Sequence, residues 1–255
     1  MSGQVRSEKA GGVLTLTLDR ADKKNALTPA MYAALTAALM AADEDREVRV
    51  VLLQAEGDAF CAGNDLAEFA AVSAGAAPEE ISAAPFIRAL GQARTPLVAA
   101  VHGLAVGVGV TLLLHCDLVY VAEDARLTVP FVNLALAPEA ASSRLLPARI
   151  GHVRAFSMFA LGEAIDGRTA AAWGLANAAL PAGEVKARAR AAAEALAQRP
   201  PSSVAATKAL MRDGAAYAAQ IEAEFARFAD QLRSEEAKEA FAAFFEKRPA
   251  DFSRF

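Results

Sequence analysis

The 255-residue sequence is short of the side chains that carry most metal and redox chemistry: it has two cysteines, three histidines and one tryptophan. Cys61 and Cys116 cannot make a disulfide framework or a multi-cysteine zinc site, and their scarcity suits a reducing compartment. His102, His115 and His152 lack the spacing of metal ligands, so no metal is expected. There is no G-x-S-x-G elbow, no G-x-x-x-x-G-K-S/T phosphate loop and no H-E-x-x-H, and Gly103, Gly107 and Gly109 do not fit G-x-G-x-x-G. Serine-hydrolase, nucleotide-hydrolysis and zinc-hydrolase chemistry fall with those motifs. Positive charge is also lacking. With 26 Lys and Arg against 30 Asp and Glu, the net charge of −4 disfavours a nucleic-acid partner held by bulk electrostatics. The opening MSGQVRSEKAGG contains no apolar signal core, which predicts a cytoplasmic protein.

What is present is apolar and rich in alanine. Hydrophobic residues make up 55% of the chain, enough for a sizeable core and incompatible with disorder. The uncharged run Leu97–Leu114 has the length of a membrane span. Its three glycines, and the absence of flanking Lys/Arg clusters, favour a buried strand, a glycine turn over Gly103–Gly109 and a short helix over Val108–His115 instead. Strict alternation predicts a half-buried strand over Val13–Leu18. Thr28-Pro29 starts a helix running to about Ala42, since Thr caps well and Pro suits the first helical position. Val48–Gln54, Pro96–Val101 and Asp117–Val121 read as further strands, with Asp117 fixing the start of the last one. Residues 72–85, small, acidic and bounded by proline, suggest a surface excursion rather than core. Beyond Gly183 nearly everything is helical. The sum is an α/β core followed by a helical C-terminal part.

Two loops share one physical character. Phe60-Cys61-Ala62-Gly63-Asn64-Asp65 follows a buried strand with residues small enough for a ligand to approach the main chain, and Gly103–Gly109 follows another strand and opens a helix. Helix N-termini leave N–H groups unpaired. Two such turns meeting in space would make an oxyanion hole from backbone alone, although either one by itself reads better as a tight strand–helix turn.

The order LTLDRADKKNALTPAMYAAL, VVLLQAEGDAFCAGNDLAEF, TPLVAAVHGLAVGVGVTLLLHCDLVYVAEDARLTVPF, RTAAAWGLANAALP and AFAAFFEKRPADF resembles the crotonase, or enoyl-CoA hydratase/isomerase, superfamily over nearly the whole chain. The resemblance implies a spiral of repeated ββα units over residues 1–195, holding the CoA and oxyanion sites. Residues 196–255 would form a helical region for oligomerisation and active-site cover. It further implies an acyl-CoA thioester substrate, no cofactor beyond the CoA of the substrate, and a homotrimer or dimer of trimers. By position the oxyanion donors would be the N–H groups of Ala62 and Val108.

The acid–base residues must choose the reaction, because the fold hosts many. Where hydratases of this family carry two glutamates, this chain has Thr111 and Phe131, which cannot activate water. Glu139 stands in VPFVNLALAPEAASSRLLP, which looks like the peroxisomal type of Δ3,Δ2-enoyl-CoA isomerase, with its pattern P-F-x-x-L-x-x-x-P-E-x-x-S-S and single catalytic glutamate. Taken alone, Glu139 reads better as an acidic residue in the first turn of a helix, complementing its dipole. Ala135 and Ala140 replace glycines common in that pattern, so the pocket is expected to be tighter. The substrate-binding set implied by the resemblance is Lys23, Lys24 and Ala26, then Cys61, Gly63, Asn64, Asp65 and Leu66, with Gly107 and Phe131. Lys247-Arg248-Pro249 could also meet the CoA phosphates, and Phe241, Phe244 and Phe245 read as core or subunit contact. Ser142, Ser143 and Arg144 are candidates to cap the helix or to orient Glu139. Another crotonase reaction, such as hydration, and a non-catalytic acyl-CoA-binding relative remain the alternatives.

Overall fold

The computed structural model describes residues 4–65 and 81–255. Leu66 and residues 72–80 of the expected excursion lie outside the described residues. The described end of that excursion is core instead: Ala83 and Ala84 are buried in the helix Ala83–Gln92.

The chain opens with a hairpin. β1 (Val5–Ala10) runs antiparallel to β2 (Val13–Leu18), with Val5 opposite Leu18 and Ala10 opposite Val13. Gly11 and Gly12 turn it at φ 60° and 81°, the two positive angles of a hairpin turn whose twist matches the strands. From β2 the sheet is parallel through β3 (Val50–Ala55), β4 (Leu97–Val101), β6 (Leu118–Ala122) and β9 (Ala178–Leu180), in the order β1-β2-β3-β4-β6-β9. A second sheet holds β5 (Leu104–Val106), β7 (Arg126–Thr128) and β8 (Ile165–Asp166). The chain passes from β4 to β5, and again from β6 to β7, before turning into helix. An isolated Cys61↔Ala105 bridge adds the equivalent rung after β3. This is the mixed α/β spiral implied by the resemblance.

Three local expectations change. β2 is buried along its whole length rather than on one face. Its polar residues lie under the Ala182–Ala197 helix, where Arg190 donates to the Thr15 hydroxyl at 2.8 Å and Gln54 donates to the Thr17 hydroxyl at 3.1 Å. The glycine turn after β4 contains β5. The following helix is a four-residue α turn, Val108–Thr111, that tightens into a 3-10 turn over Leu112–His115. The run Leu97–Leu114 is therefore spread over strand, strand and short helix, and no helix among the described residues is long and apolar enough to cross a membrane.

The capped helix begins where the sequence places it. Thr28 accepts the Met31 N–H at 3.3 Å, and Pro29–Glu44 buries Met31, Tyr32, Leu35 and Leu39. Asp117 acts at two strands. Its carboxylate accepts the Leu97 N–H and the Lys208 ammonium, each at 2.8 Å, tying the starts of β4 and β6 to the Pro201–Met211 helix. Two more helices, Gly214–Leu232 and Glu235–Glu246, follow. The first packs on Ala83–Gln92. A Cβ added to Gly91 would stand 2.7 Å from Ile221, and Arg88 pairs with Glu222 at 2.6 Å while lying over the Phe225 ring. This docking brings the C-terminal helices over the ends of the two glycine turns.

Candidate active site

The turn after β3 is bonded along both edges. On one side the Cys61 N–H donates to Leu104 O at 3.0 Å and the Val106 N–H donates to Cys61 O at 2.9 Å. On the other, the Ala62 N–H donates to Lys24 O at 2.9 Å, the Leu27 N–H to Gly63 O at 2.8 Å and the Asp65 N–H to Leu27 O at 2.9 Å. In this parallel Leu27↔Asn64 bridge the neighbours of Asn64 make both bonds, so its own N–H and C=O face away from Leu27. The Asn64 side chain is held by the Tyr32 hydroxyl.

The second turn meets the first through glycine. A Cβ on Gly109 would lie 2.6 Å from the Cys61 carbonyl oxygen, and one on Gly63, at φ 95°, would lie 3.1 Å from the Val106 carbonyl oxygen. Neither approach tolerates a side chain without movement. Gly107, at φ 54°, starts the short helix, and its carbonyl accepts the Val110 and Thr111 N–H groups at 2.9 Å. The Val108 N–H precedes those bonds. Among the described residues, neither the Val108 N–H nor the Asn64 N–H has a partner. Ala62, expected as a donor, is corrected here: its N–H is engaged by the Lys24 carbonyl, and among the described residues the N–H groups of that turn without a partner are those of Gly63 and Asn64, the latter facing away from Leu27.

A cavity of about 650 Å³ opens over the junction. Lys23, Ala26, Ala62, Gly63, Asn64, Asp65, Gly107 and Phe131 line it, together with Phe228, Phe244, Phe245 and Arg248 from the C-terminal helices. Two expected members are elsewhere, and a third cannot be placed among the described residues. Lys24 pairs with Asp58 and does not line the cavity. Cys61 is buried behind the turn, its thiol pushed up to about 12 by burial. Leu66 falls outside the described residues. Arg20 is a lining residue that the sequence reading missed. Its guanidinium donates to Ala26 O at 2.9 Å and to Asp65 at 3.0 Å, fixing the floor of the cleft. Asn25 locks the same loop, donating to Glu56 O and Ala59 O at 2.8 and 2.7 Å. Arg248 reaches the cavity already paired with Glu239 and Glu246.

Glu139 sits behind this cleft and is 3% exposed. The Thr111 hydroxyl donates to its Oε1 at 2.6 Å, while Oε2 is buried without a partner. A gap of about 10 Å³ beside it is lined by Asn64, Ile87, Phe225 and Phe228. Asn64 and Phe228 also line the main cavity, so they form the wall between the two spaces. Burial pushes the Glu139 carboxyl up to about 8; the Thr111 hydrogen bond opposes that rise and the charge of Glu224 adds to it. The loop carrying it is strained. Ala135, Ala140 and Ala141 adopt φ 55°, 62° and 54°, so alanine takes the left-handed backbone that glycine would adopt freely.

The side chains of Ser142, Ser143 and Arg144 make no hydrogen bond to the Glu139 carboxyl. Ser143 bonds Glu224, the Ser142 hydroxyl is buried without a partner, and Arg144 is exposed. Thr111, first noted only for not being glutamate, makes that bond. Among the described residues no group of three His, Cys, Asp or Glu could hold a metal ion.

The sequence profile of the enoyl-CoA hydratase/isomerase family matches residues 8–254. The chain belongs to that family. A Rhodobacter capsulatus relative named "Probable enoyl-CoA hydratase" is 36% identical, covering 98% of this chain and 97% of its own. The rat protein "Enoyl-CoA delta isomerase 2" is 35% identical over 79% of this chain and 52% of its own. The crystal structure of an enoyl-CoA hydratase/isomerase from Pseudoalteromonas atlantica superposes with a TM-score of 0.92 at 40% identity, covering 98% of this chain and 99% of that one. The protein is thus a crotonase-family acyl-CoA enzyme, and its relatives carry both hydratase and isomerase names.

Proposed function

We propose that this crotonase is a Δ3,Δ2-enoyl-CoA isomerase, converting 3-enoyl-CoA to 2-trans-enoyl-CoA with Glu139 as its single acid–base group. The observation that carries this reading is the Glu139 carboxyl itself, buried beside the two-turn junction with Oε2 unpartnered and its pKa pushed up to about 8. Such a group is basic enough to take a proton and acidic enough to return it near neutral pH. The carboxylate removes a proton from C2, and negative charge moves onto the thioester oxygen as the enolate forms. The Asn64 and Val108 N–H groups stabilise that oxygen with donors already fixed by the fold. The carboxyl then delivers the proton to C4, and the double bond comes to lie between C2 and C3. No metal or redox cofactor enters this balance.

Lys23 supplies a cation at the cleft mouth for the CoA phosphates, and Phe244 and Phe245 supply apolar wall for the acyl chain. Residues 196–255 cover the cleft and carry the contacts of a trimer or dimer of trimers. Exposed Leu210 and Met211 on the Pro201–Met211 helix are apolar surface suited to that contact.

The test is to supply pure protein with 3-enoyl-CoA and, separately, 2-enoyl-CoA. Isomerisation of the first, lost at least about 100-fold in Glu139→Gln, is the expected result. Undiminished turnover in that variant overturns the reading. The name of the R. capsulatus relative favours hydration as the second reading, which predicts faster water addition to 2-enoyl-CoA than isomerisation. Thermal stabilisation by CoA esters without any turnover would point to a non-catalytic relative.

A further inference from the structure

A second buried carboxyl grips the loop that presents Glu139. Glu224, 6% exposed, projects from the Gly214–Leu232 helix onto the first turn of the helix Ser142–Ile150. Its Oε1 accepts the Ser143 N–H at 3.0 Å and the Ser143 hydroxyl, while Oε2 is buried with no partner among the described residues. Gln220, one turn earlier, donates to the same hydroxyl oxygen at 2.9 Å. Between this cluster and Glu139 stand Ala140 and Ala141, both left-handed. Such a backbone is costly for alanine and persists only where its surroundings over-determine it. The opposite side of the turn is also held. The His115 ring nitrogen Nε2 bonds Ala140 O at 2.8 Å, and Arg212 bonds its Nδ1 at 3.1 Å.

We propose that Glu224 is a positioning residue: from the C-terminal helix it clamps the Ala140–Ala141 turn, so that Glu139 is held behind the cleft only while the Gly214–Leu232 helix is seated. This inference rests on the reading of Glu139 as the base. The geometry links one carboxyl to Ser143, in the first turn of the helix that follows the strained turn, and sets it on the same helix as the wall residue Phe228 and as Phe225, which lines the gap beside Glu139. Glu224 also acts through its charge. The groups facing the pair among the described residues are the Thr111 hydroxyl on Glu139, and the Ser143 N–H and hydroxyl on Glu224, with Gln220 on that hydroxyl; His115 and Arg212 stand beyond the Ala140 carbonyl. With hydroxyls and amides at close range, the like charge of Glu224 raises the cost of ionising Glu139.

Two variants test the clamp. Glu224→Gln keeps an acceptor for Ser143 and removes the charge; Glu224→Ala removes both. The Glu139 carboxyl is titrated by carbon NMR in the substrate-free protein, assigned by its loss in Glu139→Gln, and the pH dependence of kcat is measured with 3-enoyl-CoA. Glu224→Gln is expected to lower the Glu139 midpoint by roughly half a unit or more while holding the kcat plateau. Glu224→Ala is expected to cut kcat about tenfold or more with KM nearly unchanged, because the base is misplaced rather than the substrate released. Wild-type midpoint and kcat in both variants would overturn the proposal. If the alanine variant does not fold, the glutamine variant alone decides. The substrate-free titration separates the two ideas: a shifted midpoint in a protein that does not isomerise 3-enoyl-CoA would sink the proposed reaction and leave the clamp standing.

Discussion

The 61–65 turn and the 139–143 turn present polar groups to adjoining spaces by different means. The first uses glycine. Gly63 takes its positive φ without strain, and the bonds to Lys24, Leu27, Leu104 and Val106 leave the Asn64 N–H turned away from its neighbours. The second uses alanine in the same backbone region and presents a buried side chain, Glu139. A backbone donor needs only direction. A buried carboxyl also needs its charge state set and its place enforced, and Thr111, His115 and Glu224 supply the bonds for that. A turn that offers backbone can therefore be local, whereas a turn that offers a tuned side chain draws on distant parts of the chain.

The sharpest break between the two turns is Glu139→Gln, expected to lower isomerisation by at least about 100-fold while leaving the donor turn intact. The same variant separates function from stability. Burial holds the folded carboxyl near 8 against an ordinary 4.5, so the neutral side chain's contribution is complete below pH 4.5 and is lost as pH rises through 8. Glutamine cannot ionise. Urea denaturation at pH 5 and pH 9 is expected to show wild type losing more stability than the variant over that interval.

Next in size is Gly109→Ala, which attacks the donor side. Its new Cβ, 2.6 Å from the Cys61 carbonyl oxygen, forces the two turns apart and misplaces Val108 against Asn64. A loss of about 10- to 100-fold in kcat is expected, with the pH midpoint of the rate unchanged because Glu139 is untouched. Thr111→Val acts on the other turn and more gently. The lost hydrogen bond opposes the rise in the Glu139 pKa, so its removal moves the midpoint upward. Activity at pH 7 is expected to fall about tenfold, with part of the loss regained at higher pH. The smallest effect is Ala135→Gly. Relief of a left-handed alanine at φ 55° is expected to stabilise the fold by up to about 1 kcal/mol, read as a rise in thermal midpoint.

Much of the frame was legible in the residues. Alternation marked β2, the apolar runs marked β3, β4 and β6, and Thr28-Pro29 marked the helix start, because each signal is local and periodic. The Gly11-Gly12 pair is an equally local hairpin signal, and β1 was missed although it was there to be read. What could not be read depends on pairing across the chain. Ala62 and Asn64 share one glycine turn, and only the bond from the Ala62 N–H to Lys24 O removes Ala62 from the free donors. Lys24 and Lys23 are adjacent in sequence, yet one meets Asp58 and the other the cleft. Thr111 lies 28 positions from Glu139, and Glu224 lies 81 from Ser143, so no motif spans either contact.

The proposed isomerisation requires one carboxyl to change protonation during the reaction, and the pH dependence of kcat/KM on 3-enoyl-CoA tests that most directly. With Glu139 as the base, the rate rises with pH, has its midpoint near 8 and reaches a plateau above it. A rate that is flat from pH 6 to pH 9, or a rising profile retained in Glu139→Gln, would contradict the assignment.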